Sequence, residues 1–322
     1  MTRGSRSFWC LTILVLVVVA SPVRGEDPPG REWKQVWSDE FEGKEIDRTK
    51  WDFDLGNGFY DYDANTWVAG WGNDELQYYT REPTNAFVEG GVLHIRAVRE
   101  SYLGCGYTSA RLRSRRRDGT PLFSKKYGRF EFRAKLPTGR GVWPALWMLP
   151  QDEKYGGWPS SGEIDILEAR GQEPNKVLGT LHYGARWPAN TNVSKDTIPP
   201  RGGNIADFHV YALEWSPGEI GWSVDGVRYA TQSFWWSSSR TEGGKGLNPT
   251  RESDLNPWPA PFDQPFNLVM NLAVGGRFLG NPDRTTPFPA EMMVDYVRVY
   301  DRIEGYGKIH PRGPGKPPFG KP

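Results

Sequence analysis

At 322 residues the chain is longer than most single domains but within reach of one large β-domain with terminal extensions. A formal net charge of +1 argues against nucleic acid or an anionic membrane as partner, and two cysteines with four histidines leave little material for a zinc cluster or a Cys/His dyad. What stands out is 15 Trp beside 38 Gly and 27 Pro, a mixture that suits short strands, many turns and rings left over for flat ligands.

In chain order, Arg3 and Arg6 precede an apolar run at residues 8–20 and then small or turn-forming residues to Gly25, the layout of a secretory signal peptide over residues 1–25. The run is short for a bilayer, which takes about 20 apolar residues. The expected product is secreted, extracellular or periplasmic, with no membrane span after signal removal. Cys10 leaves with the signal, so Cys105 has no internal disulfide partner.

From Trp33 onward the sequence breaks into short runs of alternating apolar and polar residues separated by Gly, Pro, Asn and Asp, as antiparallel strands require. The clearest are residues 92–98, 127–136, 208–215, 266–274 and 292–300. Within 127–136, Phe130, Phe132, Ala134 and Leu136 face one way and Arg129, Glu131, Arg133 and Lys135 the other, because side chains alternate along a strand. No long stretch carries helical periodicity with caps, and no repeat period points to a propeller. The expectation is an all-β domain over residues 26–303: a two-sheet antiparallel jelly-roll sandwich, concanavalin-like, with a concave substrate cleft. Residues 304–322, rich in Pro, Gly and Lys, hold too little apolar surface to offset ordering entropy and read as a disordered tail.

The most informative stretch is Ser161-Gly162-Glu163-Ile164-Asp165-Ile166-Leu167-Glu168-Ala169, in which three carboxylates are threaded through apolar residues. On a regular strand Glu163 and Asp165 share a face while Glu168 points to the other. One extra residue in a β-bulge at Ile166-Leu167 restores the parity and lines all three acids along one cleft. Strand rise alone separates the two glutamates by about 13 Å, whereas a retaining glycosidase brings its carboxyl pair to about 5–5.5 Å. Twist, curvature, the bulge and side-chain reach must supply the difference. Three acids suit a chemistry with an ionised nucleophile, a protonated acid and a neighbour that couples them, since like charges this close cannot all ionise. Solvated acids on a strand edge, or a calcium site built from oxygen ligands, are the competing readings.

The run Glu163-Ile164-Asp165-Ile166-Leu167-Glu168 resembles the active-site signature of glycoside hydrolase family 16 in its bulged, laminarinase-like form. Gly141-Val142-Trp143-Pro144-Ala145-Leu146-Trp147-Met148-Leu149-Pro150 resembles the strand before it, and Gly179-Thr180-Leu181-His182-Tyr183-Gly184 the strand after. Further matches at Trp37-Ser38-Asp39-Glu40-Phe41, Asn73-Asp74-Glu75-Leu76-Gln77-Tyr78-Tyr79, Asn271-Leu272-Ala273-Val274-Gly275-Gly276 and Val294-Asp295-Tyr296-Val297-Arg298-Val299-Tyr300 extend the resemblance over residues 33–301. It implies an endo-1,3-β-glucanase acting with retention through a glycosyl-enzyme intermediate. Glu163 is then the nucleophile, Glu168 the general acid/base and Asp165 the residue that tunes the pair, with no cofactor or metal for catalysis.

Trp143 and Trp147 lie four apart and so share a strand face, offering flat surfaces for sugar rings. The resemblance places both in the cleft, with His182 toward the leaving-group side, Asn73 toward the non-reducing side, and Arg111 and Asn271 as further substrate contacts. Arginines at 111, 113, 115, 116 and 117 depart from the more neutral segment usual in laminarinases. A sulfated glycan is one reading of them, and a solvated strand ending in a basic turn is the other. Many family members hold a structural calcium, for which Glu40, Asp295 and a carbonyl near Gly91 are the matching positions. The expected partner is a β-linked polysaccharide bound by a monomer, the leading choice being β-1,3-glucan or mixed β-1,3/1,4-glucan. The alternatives are a hydrolase of sulfated or neutral galactans such as agar or carrageenan, a catalytically silent β-glucan-binding protein, and a transglycosylase using the same intermediate.

Overall fold

Alternation of apolar and polar residues becomes two sheets around one core in the computed structural model, which describes residues 1, 32–62, 64–242, 245–317 and 319. The signal peptide expected at residues 1–25 lies outside the described residues apart from Met1. No helix among the described residues is long and apolar enough to cross a membrane.

The larger sheet runs in the order Val227–Gln232, Glu219–Val224, His209–Ser216, Gly128–Lys135, Ala290–Arg302, Val92–Tyr102, Cys105–Ser109 and Gln77–Tyr79, with Trp33–Asp39 paired to Ala290–Arg302 and Ala86–Glu89 paired to Val92–Tyr102. Its pairs are antiparallel except for Gln77–Tyr79 with Cys105–Ser109. The second sheet runs Asn190–Thr197, Val177–Gly184, Glu163–Glu168, Val142–Pro150, Phe266–Val274, Arg111–Arg113 and Asp52–Asp54. The five strand runs read from the sequence are all strands here. Phe130, Phe132, Ala134 and Leu136 point into the shared core as alternation requires. Arg129 and Glu131, on the opposite face, are buried as well and bond to each other through Arg129 Nε and Glu131 Oε1 at 2.7 Å.

The bulge forms where parity demanded it. Trp147 lies opposite Asp165 and Leu146 opposite Leu167, which leaves Ile166 as the extra residue. On the other side Glu163 and Asp165 face His182 and Thr180, and Glu168 faces Leu178, so the three acids match alternate positions of one neighbouring strand and share a face. Ile164, Ile166 and Leu167 are all buried in the core. Apolar burial on both bulge residues thus anchors the irregular pairing that turns Glu168 outward.

Support also comes from the opposite sheet. Trp222 on Glu219–Val224 reaches through the core, and its indole Nε1 donates to the Asp165 carbonyl at 2.9 Å. The space it occupies exists because residue 179 lacks a side chain: a Cβ on Gly179 would lie 2.4 Å from Trp222 Cδ1. Gly179→Ala is therefore expected to cost about 1–3 kcal/mol by overpacking, read as a lower midpoint in chemical denaturation. An unchanged midpoint would mean that the indole has room to move aside.

Beyond Arg302 the described chain forms no helix or strand, yet it lies against the body. His310 N donates to the Pro217 carbonyl at 2.8 Å, Gly313 N to the Ser233 carbonyl at 2.7 Å, and Trp258 Nε1 to the His310 carbonyl at 2.8 Å. The tail expected to be disordered spans residues 304–322, and the contacts within it include these backbone hydrogen bonds at residues 310 and 313 and Arg312 lying 5.4 Å over the Trp258 ring, neither of which depends on apolar content.

Candidate active site

The outer face of the acid-bearing sheet collects the site from adjacent strands. Gly162 opens the acidic strand with φ +87°, and a Cβ there would meet Phe262 at 2.8 Å, so the turn that delivers Glu163 requires glycine. Trp158, in the loop before it, donates Nε1 to Glu163 Oε2 at 2.9 Å. Glu168 accepts from Trp143 Nε1 at 3.1 Å and from the Thr180 hydroxyl at 3.3 Å. His182 reaches over the group, its Nε2 3.4 Å from Asp165 Oδ2 and 3.7 Å from Glu163 Oε1. Asp165 is only 3% exposed, while Glu163 and Glu168 are half-buried at the ends of the strand.

Crowded carboxyls divide their protons unequally. Burial, followed by the charges of Glu168 and Glu163, pushes the Asp165 carboxyl well above its ordinary range. Burial also raises Glu168, with Glu163 adding to the effect and His182, Trp143 and Thr180 opposing it. For His182 burial works against the charged form, but Glu163, Asp165 and Glu168 outweigh it and lift the imidazole to about 10. The site therefore sets an imidazole shifted toward its cation beside two carboxyls, Asp165 and Glu168, shifted toward their acid forms, and it titrates as a cluster.

The other predicted contacts fall on the two flanks of the acidic strand. Toward Arg111–Arg113, the Arg111 guanidinium is sandwiched between Trp71 at 4.6 Å and Trp147 at 4.7 Å, and its Nε pairs with Asp54 at 3.0 Å. Arg113 shares that carboxylate at 3.4 Å. Both arginines are thus stacked or paired on this flank, unlike a solvated strand and unlike cations free to receive sulfate. Asn271 accepts from Trp147 Nε1 at 2.7 Å, and Asn73 donates to Glu75 at 3.0 Å on the same flank. Toward Val177–Gly184, His182 lies against Trp158 with ring centroids 5.8 Å apart. Trp143 rests on Phe278 at 4.7 Å.

Trp71, Trp158 and Thr180 were missed as individual site residues. Trp158 had a local signal, standing five residues before Glu163 in Trp-Pro-Ser-Ser-Gly. Trp71 lies between Gly70 and Gly72, but only the fold brings it over Arg111.

The calcium set does not fit. Glu40 is held by Arg298 through two bonds of 2.9 and 3.0 Å, and Asp295 accepts from Arg133 at 2.7 Å. A divalent cation between Glu40, Gly91 and Asp295 would compete with two guanidiniums for the same oxygens. Among the described residues the group close enough to hold a metal is Glu163, Asp165 and His182, within 4.8 Å of one another. There His182 Nε2 is turned toward Asp165 Oδ2 at 3.4 Å and Glu163 Oε1 at 3.7 Å.

Crowded carboxyls on one sheet face beneath a row of indoles are what cleavage of a sugar acetal requires, and a β-sandwich that presents them is a glycoside hydrolase. The family model of the glycosyl hydrolases family 16 matches residues 95–235. The chain is 44% identical over 311 residues to a beta-glucanase of Rhodothermus marinus, covering 93% of this chain and 95% of that protein. It is 43% identical over 285 residues to glucan endo-1,3-beta-glucosidase A1 of Niallia circulans, covering 85% of this chain but 39% of that longer protein. Among solved structures, the laminarinase from Rhodothermus marinus matches with a TM-score of 0.66 at 45% identity, covering 84% of this chain and 98% of that one. The chain belongs to glycosyl hydrolase family 16 and has its jelly-roll fold.

Proposed function

We propose that this enzyme hydrolyses internal bonds of β-1,3-glucan or mixed β-1,3/1,4-glucan, with retention of anomeric configuration. The observation that carries the reading is the bulge, which puts Glu163, Asp165 and Glu168 on one sheet face. Glu163 attacks the anomeric carbon as the bond to the leaving oxygen breaks, and Glu168 gives that oxygen its proton. Glu168 then takes a proton from water, whose oxygen displaces Glu163 and releases the second product. Asp165, buried between them, tunes their protonation. Trp143 and Trp147 carry the sugar rings, His182 and Trp158 serve the side nearest Glu163, and Asn73, Arg111 and Asn271 serve the opposite flank. No cofactor enters the reaction.

Glucan is favoured by the names of the two relatives, a beta-glucanase and an endo-1,3-beta-glucosidase. The pairing of Arg111 and Arg113 with Asp54 speaks against a sulfated polymer. We further assign residues 1–25 as a signal, residues 26–303 as the catalytic unit and the extracellular or periplasmic space as its place of action. One chain supplies every named group, so a monomer suffices. The test is a product profile on laminarin, lichenan, agarose and carrageenan. Release of mixed short oligosaccharides from laminarin, with or without lichenan, is expected. Cleavage confined to the galactans would replace glucan as substrate, and binding to glucan without product would make the protein a lectin.

A further inference from the structure

We propose that Glu75 and Tyr79 are positioning residues that, through Asn271, set the orientation in which Trp147 meets the glucan. The proposal rests on the reading that Trp147 touches substrate. The hydrogen bonds have a direction, and the indole dictates it. A tryptophan N–H can only donate, so its 2.7 Å contact obliges Asn271 to present Oδ1 to Trp147. Asn271 Nδ2 is then left to donate to the Tyr79 hydroxyl at 3.0 Å. That oxygen is consequently an acceptor, and its own proton is directed to Glu75 Oε2 at 3.4 Å. The Tyr79 side chain is fully buried and Asn271 is 7% exposed, so the chain of donors runs inside the protein.

Glu75 is itself held in place. Gln77 Nε2 donates to Oε2 at 2.7 Å and Asn73 Nδ2 to Oε1 at 3.0 Å. Gln77 Oε1 in turn accepts from Val274 N at 2.8 Å, tying the carboxylate to the strand that bears Asn271. Arg111 covers one face of Trp147 while the relay grips its polar edge, so the plane of the indole is fixed from two directions. Glu75→Gln leaves a weaker, neutral acceptor at the end of the relay, and Tyr79→Phe removes the acceptor that holds Asn271 Nδ2. In either variant Asn271 Oδ1 is held less firmly against the Trp147 N–H.

Tyr79→Phe and Glu75→Gln test this with little change of shape. On laminarin each is expected to raise KM about three- to tenfold, the size of one hydrogen bond, with kcat changed less than twofold. Such a split marks lost binding rather than lost chemistry, and a purely structural role would not produce it. In a Trp147→Phe background there is no N–H to orient, so adding either substitution should leave KM where Trp147→Phe puts it. Additive losses in the double variants, or an unchanged KM in both single variants, overturn the relay while leaving Trp147 at the substrate. An unchanged KM in Trp147→Phe itself removes Trp147 from the glucan and takes the relay with it. Should Tyr79→Phe fail to fold, the same comparison is made with Glu75→Gln alone.

Discussion

Glu163→Gln is expected to lower kcat on laminarin by about 10⁴-fold or more, the scale on which removal of a catalytic nucleophile acts. The amide keeps the shape of the side chain and can still accept from the Trp158 indole, which lies 2.9 Å from Oε2. What it loses is a carboxylate able to form the glycosyl ester. A second variant separates this role from general disruption. Glu163→Gly leaves space for azide, which attacks from the vacated face in a single displacement and should give a glycosyl azide of α configuration. Steady-state kinetics and the anomer of that product are the measurements. Near-normal turnover by Glu163→Gln, or a β-azide from Glu163→Gly, would remove Glu163 from the nucleophile position.

The second large effect belongs to Glu168. Its glutamine variant should lose about 10²–10⁴-fold in kcat/KM on glucan, the usual contribution of a positioned acid. The loss should shrink sharply on an aryl glycoside whose leaving group departs without a proton. Burial raises the Glu168 carboxyl, so its acid form persists to higher pH than an ordinary glutamic acid and is lost as pH rises through that elevated pKa. The wild-type rate should therefore fall on the alkaline side, and Glu168→Gln should lack this limb. His182 acts in the opposite sense, its cation lowering the Glu168 pKa. His182→Asn removes that charge and should move the limb to higher pH. A limb that survives in Glu168→Gln, or moves down in His182→Asn, would show that another group is titrating.

Much of this architecture can be read from near neighbours in the chain. Alternation over residues 127–136 identifies the core face of that strand because strand geometry depends on adjacent residues alone. The acidic run also contains its own irregularity. Three acids at 163, 165 and 168 share a face only if one residue is extra, and Ile166 is that residue. The resemblance in Gly141–Pro150 and Gly179–Gly184 then places Trp143, Trp147 and His182 on the same face, as observed.

Contacts between distant parts of the chain were legible much less well. Glu40 and Asp295 look like cation ligands in sequence, yet Arg298, 258 residues from Glu40, and Arg133, 162 residues from Asp295, hold their oxygens. Tyr79 and Asn271 stand 192 residues apart and meet only because their sheets close around one core. The tail illustrates the same limit, since the contacts of residues 310–313 go to carbonyls and a ring supplied by residues 217, 233 and 258.

By itself the sequence determined the all-β class, the acid trio and the need for a bulge between Asp165 and Glu168. These follow from the two-residue period of a strand and from burial of the apolar residues between the acids. Only the tertiary structure decided which partners each polar group took: Trp158 for Glu163, Trp143 and Thr180 for Glu168, Asp54 for Arg111, and the relay behind Trp147. A hydrogen bond or ion pair goes to whichever group the fold brings within about 3 Å, and chain position says little about that distance once the two sheets have packed.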